Sequence, residues 1–187
     1  MNVKDMLRQA SDAAKQLITL SDQTIIGILK ETAQVLRTHT EEVLAANRQD
    51  LERMDPANPK YDRLKLTEER LQGIAADMEN VSTLPSPLNK VLSETIRPNG
   101  MVIRKVTVPF GVIGVIYEAR PNVTFDVFSL CFRSGNVCVL KGGSDADFSN
   151  RALVRIIHSV LERQGINPAV CTLLPPDREA TGSGRLG

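Results

Sequence analysis

Apolar and polar residues recur with different periods along this chain, and the changes of period predict its organisation. Residues 1–91 carry apolar residues at the three- and four-residue spacing of amphipathic helices. Residues 92–109 are rich in valine and isoleucine around the turn signal Pro98-Asn99-Gly100, which predicts a two-stranded β-ribbon. Residues 110–175 join apolar strands through helices, and residues 176–187 are predicted to form a tail.

Three short apolar runs within residues 110–175 predict a parallel sheet. Residues 112–117 and 137–140 are apolar without alternation, so both are expected to be strands buried on two faces. A phenylalanine-rich helix between them, and a second helix before the run at residues 170–174, complete a βαβαβ unit. The predicted fold class is therefore α/β, with an N-terminal helical layer, a partial Rossmann-like parallel sheet and a projecting β-ribbon.

Polar residues follow the predicted strands at the point where each strand ends. Glu118, Arg120 and Asn122 come after the first strand, and Lys141 and Ser144 come after the second. Ligands of open α/β sheets bind outside the carboxyl ends of the strands. These five residues are therefore the candidates for a binding site.

Composition narrows the class of protein. The chain has 187 residues and a formal net charge of +1, which allows one domain with a core and gives no case for binding nucleic acid or an anionic membrane. No apolar run could span a bilayer, and the charged N-terminus lacks the apolar core of a signal peptide, so a cytoplasmic protein is predicted. Cys131, Cys138 and Cys171 lie in or beside apolar segments without metal-site spacing. They are expected to be buried and inert, and no metal site is predicted.

Several motifs give the chain a family resemblance. PFGVIG (109–114), the pair Pro121-Asn122 and GNVCVLK (135–141) follow the pattern of the aldehyde dehydrogenase superfamily. Within that superfamily, YEARPNVT (117–124) together with LKGGS resembles the γ-glutamyl phosphate reductases. DRLKLTEERL and LAANRQDL, earlier in the chain, resemble the same family, and the resemblance extends from the first helix to Thr181.

The resemblance implies an activity, a cofactor and partners. Members of that family reduce L-glutamate 5-phosphate to L-glutamate 5-semialdehyde with NADPH and release phosphate, a step of proline biosynthesis. The chain is therefore expected to be part of an aldehyde dehydrogenase-like NADP-binding domain, with NADP(H) as its cofactor. In the family a ribbon of this kind joins subunits, which implies a homo-oligomeric full-length enzyme, with glutamate 5-kinase as a candidate partner. Two alternatives stay open: another aldehyde or acyl-phosphate dehydrogenase of the superfamily, and a non-catalytic binding or assembly module.

The resemblance also assigns roles to the candidate residues. Asn122 matches the superfamily asparagine whose amide helps to form an oxyanion hole, although it could instead cap the helix beginning near Thr124. Lys141 matches the lysine that holds the adenosine ribose and its 2′-phosphate, unless it only extends its charge to solvent at the sheet edge. Ser144 stands where many NAD-preferring relatives have a glutamate, which favours NADP.

The roles of the remaining candidates are less specific. Gly142 and Gly143 let the backbone approach a ligand or serve only the turn. Arg120 either meets a carboxylate or phosphate of the substrate or pairs with Glu118.

The nucleophile that the resemblance implies is a cysteine, and none of the three cysteines stands in its motif. The catalytic domain is thus expected to be absent from a truncated chain, and the chain alone is expected to be inactive. Residues 181–187 are similar to a T-G-S-x-x-x-G nucleotide-binding loop. They follow the preceding strand too closely to form such a loop, so a disordered tail is the favoured interpretation.

Overall fold

A computed structural model describes residues 2–176 of the chain. The predicted tail, except Pro176, and the T-G-S-x-x-x-G motif at residues 181–187 lie outside the described residues. Seven α-helices and five strands follow one another along this part of the chain. No helix among the described residues is long and apolar enough to cross a membrane. The helices are α1 (Val3–Leu17), α2 (Asp22–Thr38), α3 (Thr40–Glu52), α4 (Tyr61–Leu64), α5 (Glu68–Thr83), α6 (Asn122–Arg133) and α7 (Asp147–Arg163). The strands are β1 (Val91–Ile96), β2 (Val102–Val106), β3 (Val112–Ile116), β4 (Val137–Lys141) and β5 (Cys171–Leu173).

The N-terminal helices begin at polar residues that cap them. The Ser21 side chain accepts a hydrogen bond from the backbone N–H of Thr24, and Thr67 does the same for Arg70. Such caps satisfy backbone donors that have no partner within the helix. The apolar stripes of α1, α2, α3 and α5 then pack in one core with α6, α7 and the sheet. The predicted helical layer is confirmed.

Strands β3, β4 and β5 form a parallel sheet, as predicted, and β4 lies between the other two. The expectation of burial on two faces is confirmed for β4, whose residues 137–140 are all buried. It is wrong for β3, where Val112 is 40% and Ile116 85% exposed. The physical reason is position: β4 lies between two strands, whereas among the described residues β3 pairs only with β4.

The predicted ribbon is present as the antiparallel pair β1–β2. Gly100 closes its turn with φ at +82°, a conformation that residues with a Cβ rarely adopt. Every residue of both strands is exposed, including several apolar ones. The role of the ribbon in joining subunits stays a prediction, as does the division of the chain into domains.

Helix α7 begins next to the carboxyl edge of the sheet, and a carboxylate of α3 caps it. Asp50, itself buried, accepts from the backbone N–H groups of Phe148 and Ser149 at 3.1 and 2.8 Å and from the Ser149 hydroxyl at 2.6 Å. Burial raises the pKa of the Asp50 carboxyl, and these hydrogen bonds oppose the rise. A negative charge at a helix N-terminus also offsets the positive end of the helix dipole.

Candidate functional site

Arg120 and Asn122 line the same cavity at the carboxyl end of β3. The chain leaves β3 at Ile116, crosses the sheet edge, and enters α6 at Asn122. The cavity has a volume of about 360 Å³ and is open to solvent. Its other lining residues come from the α4–α5 region: Asp62, Arg63, Lys65, Leu66, Arg70, Gly73, Ile74 and Asp77.

Asn122 does not cap the helix that follows it. Helix α6 begins at Asn122 itself, its N-cap residue is Pro121, and no side chain among residues 2–176 accepts from the N–H groups of its first turn. The Asn122 amide nitrogen instead donates to Oδ2 of Asp126, one turn further along α6, at 3.1 Å. The helix-cap alternative is therefore wrong, and the amide stands at the wall of the cavity.

Arg120 is exposed and does not pair with Glu118. The Glu118 carboxylate lies 3.2 Å from the Lys60 ammonium, and within residues 2–176 Arg120 forms no salt bridge. The alternative in which Glu118 neutralises Arg120 is therefore wrong. The Arg120 guanidinium therefore lines the cavity without a carboxylate partner among the described residues.

Three further cations line the cavity: Arg63 of α4, Lys65 in the turn that follows α4, and Arg70 of α5. Arg70 fixes this turn, because its Nη1 donates to the carbonyls of Asp62 and Lys65 at 2.6 Å each, and its Nη2 lies 3.2 Å from the Asp62 carboxylate. Arg63 and Lys65 are exposed, and neither forms a salt bridge with another residue that the structure describes. Together with Arg120 they give the cavity a surplus of positive charge.

Lys141 ends β4, where its Nζ donates to the carbonyl oxygen of Pro175 at 2.5 Å. That bond uses one of three ammonium donors, and no other residue that the structure describes accepts from the remaining two. Ser144 follows on the same edge with its side chain exposed. Its carbonyl accepts from the Arg53 guanidinium at 2.6 Å, which places a second cation beside it.

Gly142 and Gly143, which follow Lys141, differ in whether the surrounding protein leaves room for a side chain. A Cβ on Gly142 would lie 2.3 Å from the Asn150 amide nitrogen, so internal packing already explains the lack of a side chain there. Asn150 is buried, and its amide oxygen accepts from the Thr124 hydroxyl at 3.2 Å. A Cβ on Gly143 would make ordinary contact with Glu118 at 3.7 Å, so Gly143 is not crowded by the protein.

The residues at the carboxyl end of β4, together with Arg53, fit a phosphate-bearing nucleotide. Lys141 and Arg53 supply positive charge, and the Ser144 hydroxyl can donate to a phosphate oxygen. A glutamate at the position of Ser144 would repel a ribose phosphate, whereas a hydroxyl does not. A phosphate group can accept hydrogen bonds from such cations and from such a hydroxyl.

All three cysteines are free and buried, as predicted. Burial raises the pKa of the Cys131 thiol to about 12. The pKa of Cys138 is raised through its neighbour Cys171 and through burial. Thiols in such surroundings stay protonated near neutral pH and are poor nucleophiles.

Sequence reasoning missed the residues that come to the site from elsewhere. Arg63 and Lys65 precede Arg120 by more than fifty residues, and only the packing of α5 against α6 brings them to it. Asp126, by contrast, stands four residues after Asn122 on one helix, a spacing that places two side chains on the same face. That signal was available in the sequence.

Comparison with known proteins agrees with this geometry. No protein-family model matches the chain. A γ-glutamyl phosphate reductase of Parabacteroides distasonis is 99% identical over 181 residues, which cover 97% of this chain and 44% of that protein. The crystal structure of the Thermotoga maritima γ-glutamyl phosphate reductase is 31% identical with a TM-score of 0.91, covering 96% of this chain and 44% of that one. The sequence matches the N-terminal part of γ-glutamyl phosphate reductases.

The chain spans less than half the length of the γ-glutamyl phosphate reductases it matches. The fold is shared more widely. An engineered glycolyl-CoA reductase with bound NADP⁺ is 17% identical with a TM-score of 0.62, over 96% of this chain and 38% of that protein. The predicted aldehyde dehydrogenase-like fold and the predicted resemblance to γ-glutamyl phosphate reductases are thus both confirmed.

Proposed function

We propose that this chain supplies part of the NADP-binding domain of an enzyme that reduces L-glutamate 5-phosphate to L-glutamate 5-semialdehyde and releases phosphate. The observation that carries the proposal is the 99% identity over 181 residues to the γ-glutamyl phosphate reductase of Parabacteroides distasonis. The reaction belongs to the full-length reductase, of which these residues are one part.

The charge of the cavity supports an anionic substrate. Glutamate 5-phosphate carries a phosphate and a carboxylate at physiological pH. Arg63, Lys65 and Arg120 offer three cations that line one cavity, and a guanidinium can bind either anion with two parallel hydrogen bonds. Asn122 contributes a neutral N–H donor to the same cavity, suited to the oxygen that gains negative charge when the acyl group is attacked.

The attacking thiol is proposed to be none of the three cysteines described above. In the reaction a thiolate attacks the acyl carbon, a thioester forms and phosphate leaves with the bonding electron pair. Bound NADPH then supplies the hydride that turns the thioester into the aldehyde. Free, buried thiols suit a reducing compartment, and we place the reductase in the cytoplasm.

The residues at the carboxyl end of β4 are proposed to hold the cofactor. Lys141 and Ser144 would bind the ribose and its 2′-phosphate, with Gly143 admitting the ligand close to the backbone. Arg53 adds a charge that is fixed in place by its bond to the Ser144 carbonyl. This donor set favours NADPH over NADH.

The ribbon β1–β2 is proposed to join subunits of the full-length reductase. Its exposed apolar residues would be costly in water as a contiguous surface and would be covered in an oligomer. They are Val91, Leu92, Ile96, Met101, Val102, Ile103 and Val106.

The activity is tested on the full-length reductase of Parabacteroides distasonis, with residues numbered as in this chain. Phosphate-dependent oxidation of glutamate 5-semialdehyde should form NADPH from NADP⁺. Cys131→Ala and Cys138→Ala should retain turnover, because neither thiol is a nucleophile. No NADPH formation by the unmodified enzyme would refute the activity, and loss of turnover in a folded cysteine variant would refute the assignment of the thiol.

A substitution at Ser144 tests the choice of cofactor. Ser144→Glu in the full-length reductase should lower the preference for NADPH over NADH by about tenfold or more, because a carboxylate a few ångströms from a phosphate is repelled by more than about 1 kcal/mol. The measurement is the ratio of kcat/KM for the two cofactors. Ser11→Glu, at an exposed position of α1, is the matched control and should leave the ratio unchanged. An unchanged ratio in Ser144→Glu would mean that Ser144 does not face the ribose phosphate.

A further inference from the structure

We propose that Asp126 is a positioning residue that fixes the orientation of the Asn122 amide. The inference rests on the proposed role of Asn122 as a donor to the substrate oxygen. Asp126 itself does not line the cavity, whereas Asn122 does. Its effect on the reaction would therefore pass through Asn122.

The geometry of the pair decides which end of the amide is bound. Asn122 and Asp126 lie one turn apart on α6, and the Asn122 Nδ2 is 3.1 Å from the Asp126 Oδ2. An ionised carboxylate only accepts hydrogen bonds, so it must be met by the NH₂ end of the amide and not by its oxygen. The amide has two N–H groups on this nitrogen, and the bond to Asp126 uses one of them. The other has no acceptor in the part of the chain that the structure describes, and Asn122 lines the cavity.

The alternative orientation of Asn122 would oppose the proposed chemistry. The two ends of an asparagine amide have nearly the same shape, so packing alone discriminates poorly between them. A half-turn about χ2 would replace the N–H group by the amide oxygen. That oxygen carries partial negative charge and would repel the oxygen that becomes negative during attack on the acyl group. Asp126 excludes this orientation because the amide oxygen would then face a carboxylate.

The surroundings of Asp126 fit this role. Burial raises the pKa of the Asp126 carboxyl, and the hydrogen bond from Asn122 opposes the rise because it favours the charged form. The Asp77 carboxylate of α5 raises the pKa further. In the part of the chain that the structure describes, the Asp126 side chain has its hydrogen bond with Asn122 and forms no salt bridge. A half-buried carboxylate without a cation is costly, which makes a purely structural role a poor explanation.

The expected loss of kcat follows from the number of Asn122 side-chain conformations that Asp126 excludes. An unrestrained asparagine has three χ1 wells and two amide orientations, or about six states, of which one is productive. Asp126→Ala in the full-length reductase should therefore lower kcat by about sixfold. Asp126→Asn keeps the shape and a hydrogen bond but no longer discriminates between the two amide orientations, so about a twofold loss is expected. The KM for NADPH should not change in either variant, because the amide acts on the substrate.

A double-mutant cycle separates positioning from other roles. In the Asn122→Ala background, Asp126→Ala should cause no further loss of kcat, since the group that it orients is gone. Ser129→Ala is the matched control on α6: the Ser129 hydroxyl bonds the Asp126 carbonyl and not its carboxylate, so kcat should be unchanged. Melting temperature and circular dichroism establish that each variant is folded.

The outcomes distinguish this inference from the proposed function. If the unmodified reductase forms no NADPH in the presence of glutamate 5-semialdehyde and phosphate, both fail. If it is active and Asn122→Ala lowers kcat while folded Asp126→Ala does not, only the positioning role is refuted. Equal losses from Asp126→Ala with and without Asn122 would also refute it. If Asp126→Ala does not fold, Asp126→Asn decides: an unchanged kcat would overturn the proposal.

Discussion

Replacing Asn122 by alanine in the full-length reductase should lower kcat by about a hundredfold or more, the usual effect of removing one oxyanion donor. The amide stands at the wall of the cavity that Arg120 also lines, and its second N–H has no acceptor among residues 2–176. The KM for NADPH should barely change, because the proposed cofactor residues lie after β4. Stability should also change little, since Asn122 caps no backbone N–H and loses only one bond within its own helix.

Three measurements on the Asn122→Ala variant make the result specific. They are kcat, the KM for NADPH and the melting temperature. Asn80→Ala, which removes an exposed amide from α5, is the matched control and should behave like the unmodified enzyme. A near-normal kcat for folded Asn122→Ala would show that Asn122 is not an oxyanion donor.

The parallel pairing of the strands could be predicted from the sequence, but the exposure of the strands could not. Residues 112–117 and 137–140 have the same apolar, non-alternating character, and both were expected to be buried. The structure separates them because β4 has a neighbour on each side and β3 has one among residues 2–176. The pattern of apolar residues indicates which faces of a strand are suited to burial. Which neighbours cover those faces depends on the tertiary structure.

The sequence could predict those residues of the candidate site that follow directly from the ends of the strands. The carboxyl ends of β3 and β4 place Arg120, Asn122, Lys141 and Ser144 on one edge of the sheet, because parallel strands end on the same side. The other cations of the cavity arrive through the packing of helices that are distant in sequence. Arg63 and Lys65 follow no pattern that relates them to Arg120, so a single sequence could not place them there.

One buried network connects the two halves of the site. The Asn47 side chain donates to the Leu64 carbonyl at 2.9 Å and accepts from the Leu66 N–H at 2.8 Å, which holds the turn that carries Lys65. The same amide donates to the Ser149 hydroxyl at 3.0 Å, and Ser149 donates to Asp50. The cavity wall and the start of α7 are thus fixed by the same residues. Loss of Asp50 should disturb both.

Asp50→Ala should destabilise the protein by about 3 kcal/mol, the largest stability effect that we expect from a polar substitution here. It removes the acceptor of three hydrogen bonds and leaves the N–H groups of Phe148 and Ser149 at the start of α7 without their partner. Each buried donor left unsatisfied costs about 1–3 kcal/mol, and water that enters the space recovers part of this.

Urea unfolding of the full-length reductase measures the effect of Asp50→Ala, provided that the transition is fitted with its own m-value. Asp50→Asn keeps one acceptor oxygen and replaces the other by an NH₂ group that cannot accept, so its loss should be intermediate. Glu52→Ala, at an exposed position two residues later on α3, should change stability by less than about 0.5 kcal/mol. If Asp50→Ala were as stable as Glu52→Ala, the carboxylate would not be what holds the start of α7, and the link between the cavity and the proposed cofactor residues would have to run through Asn47 and Ser149 alone.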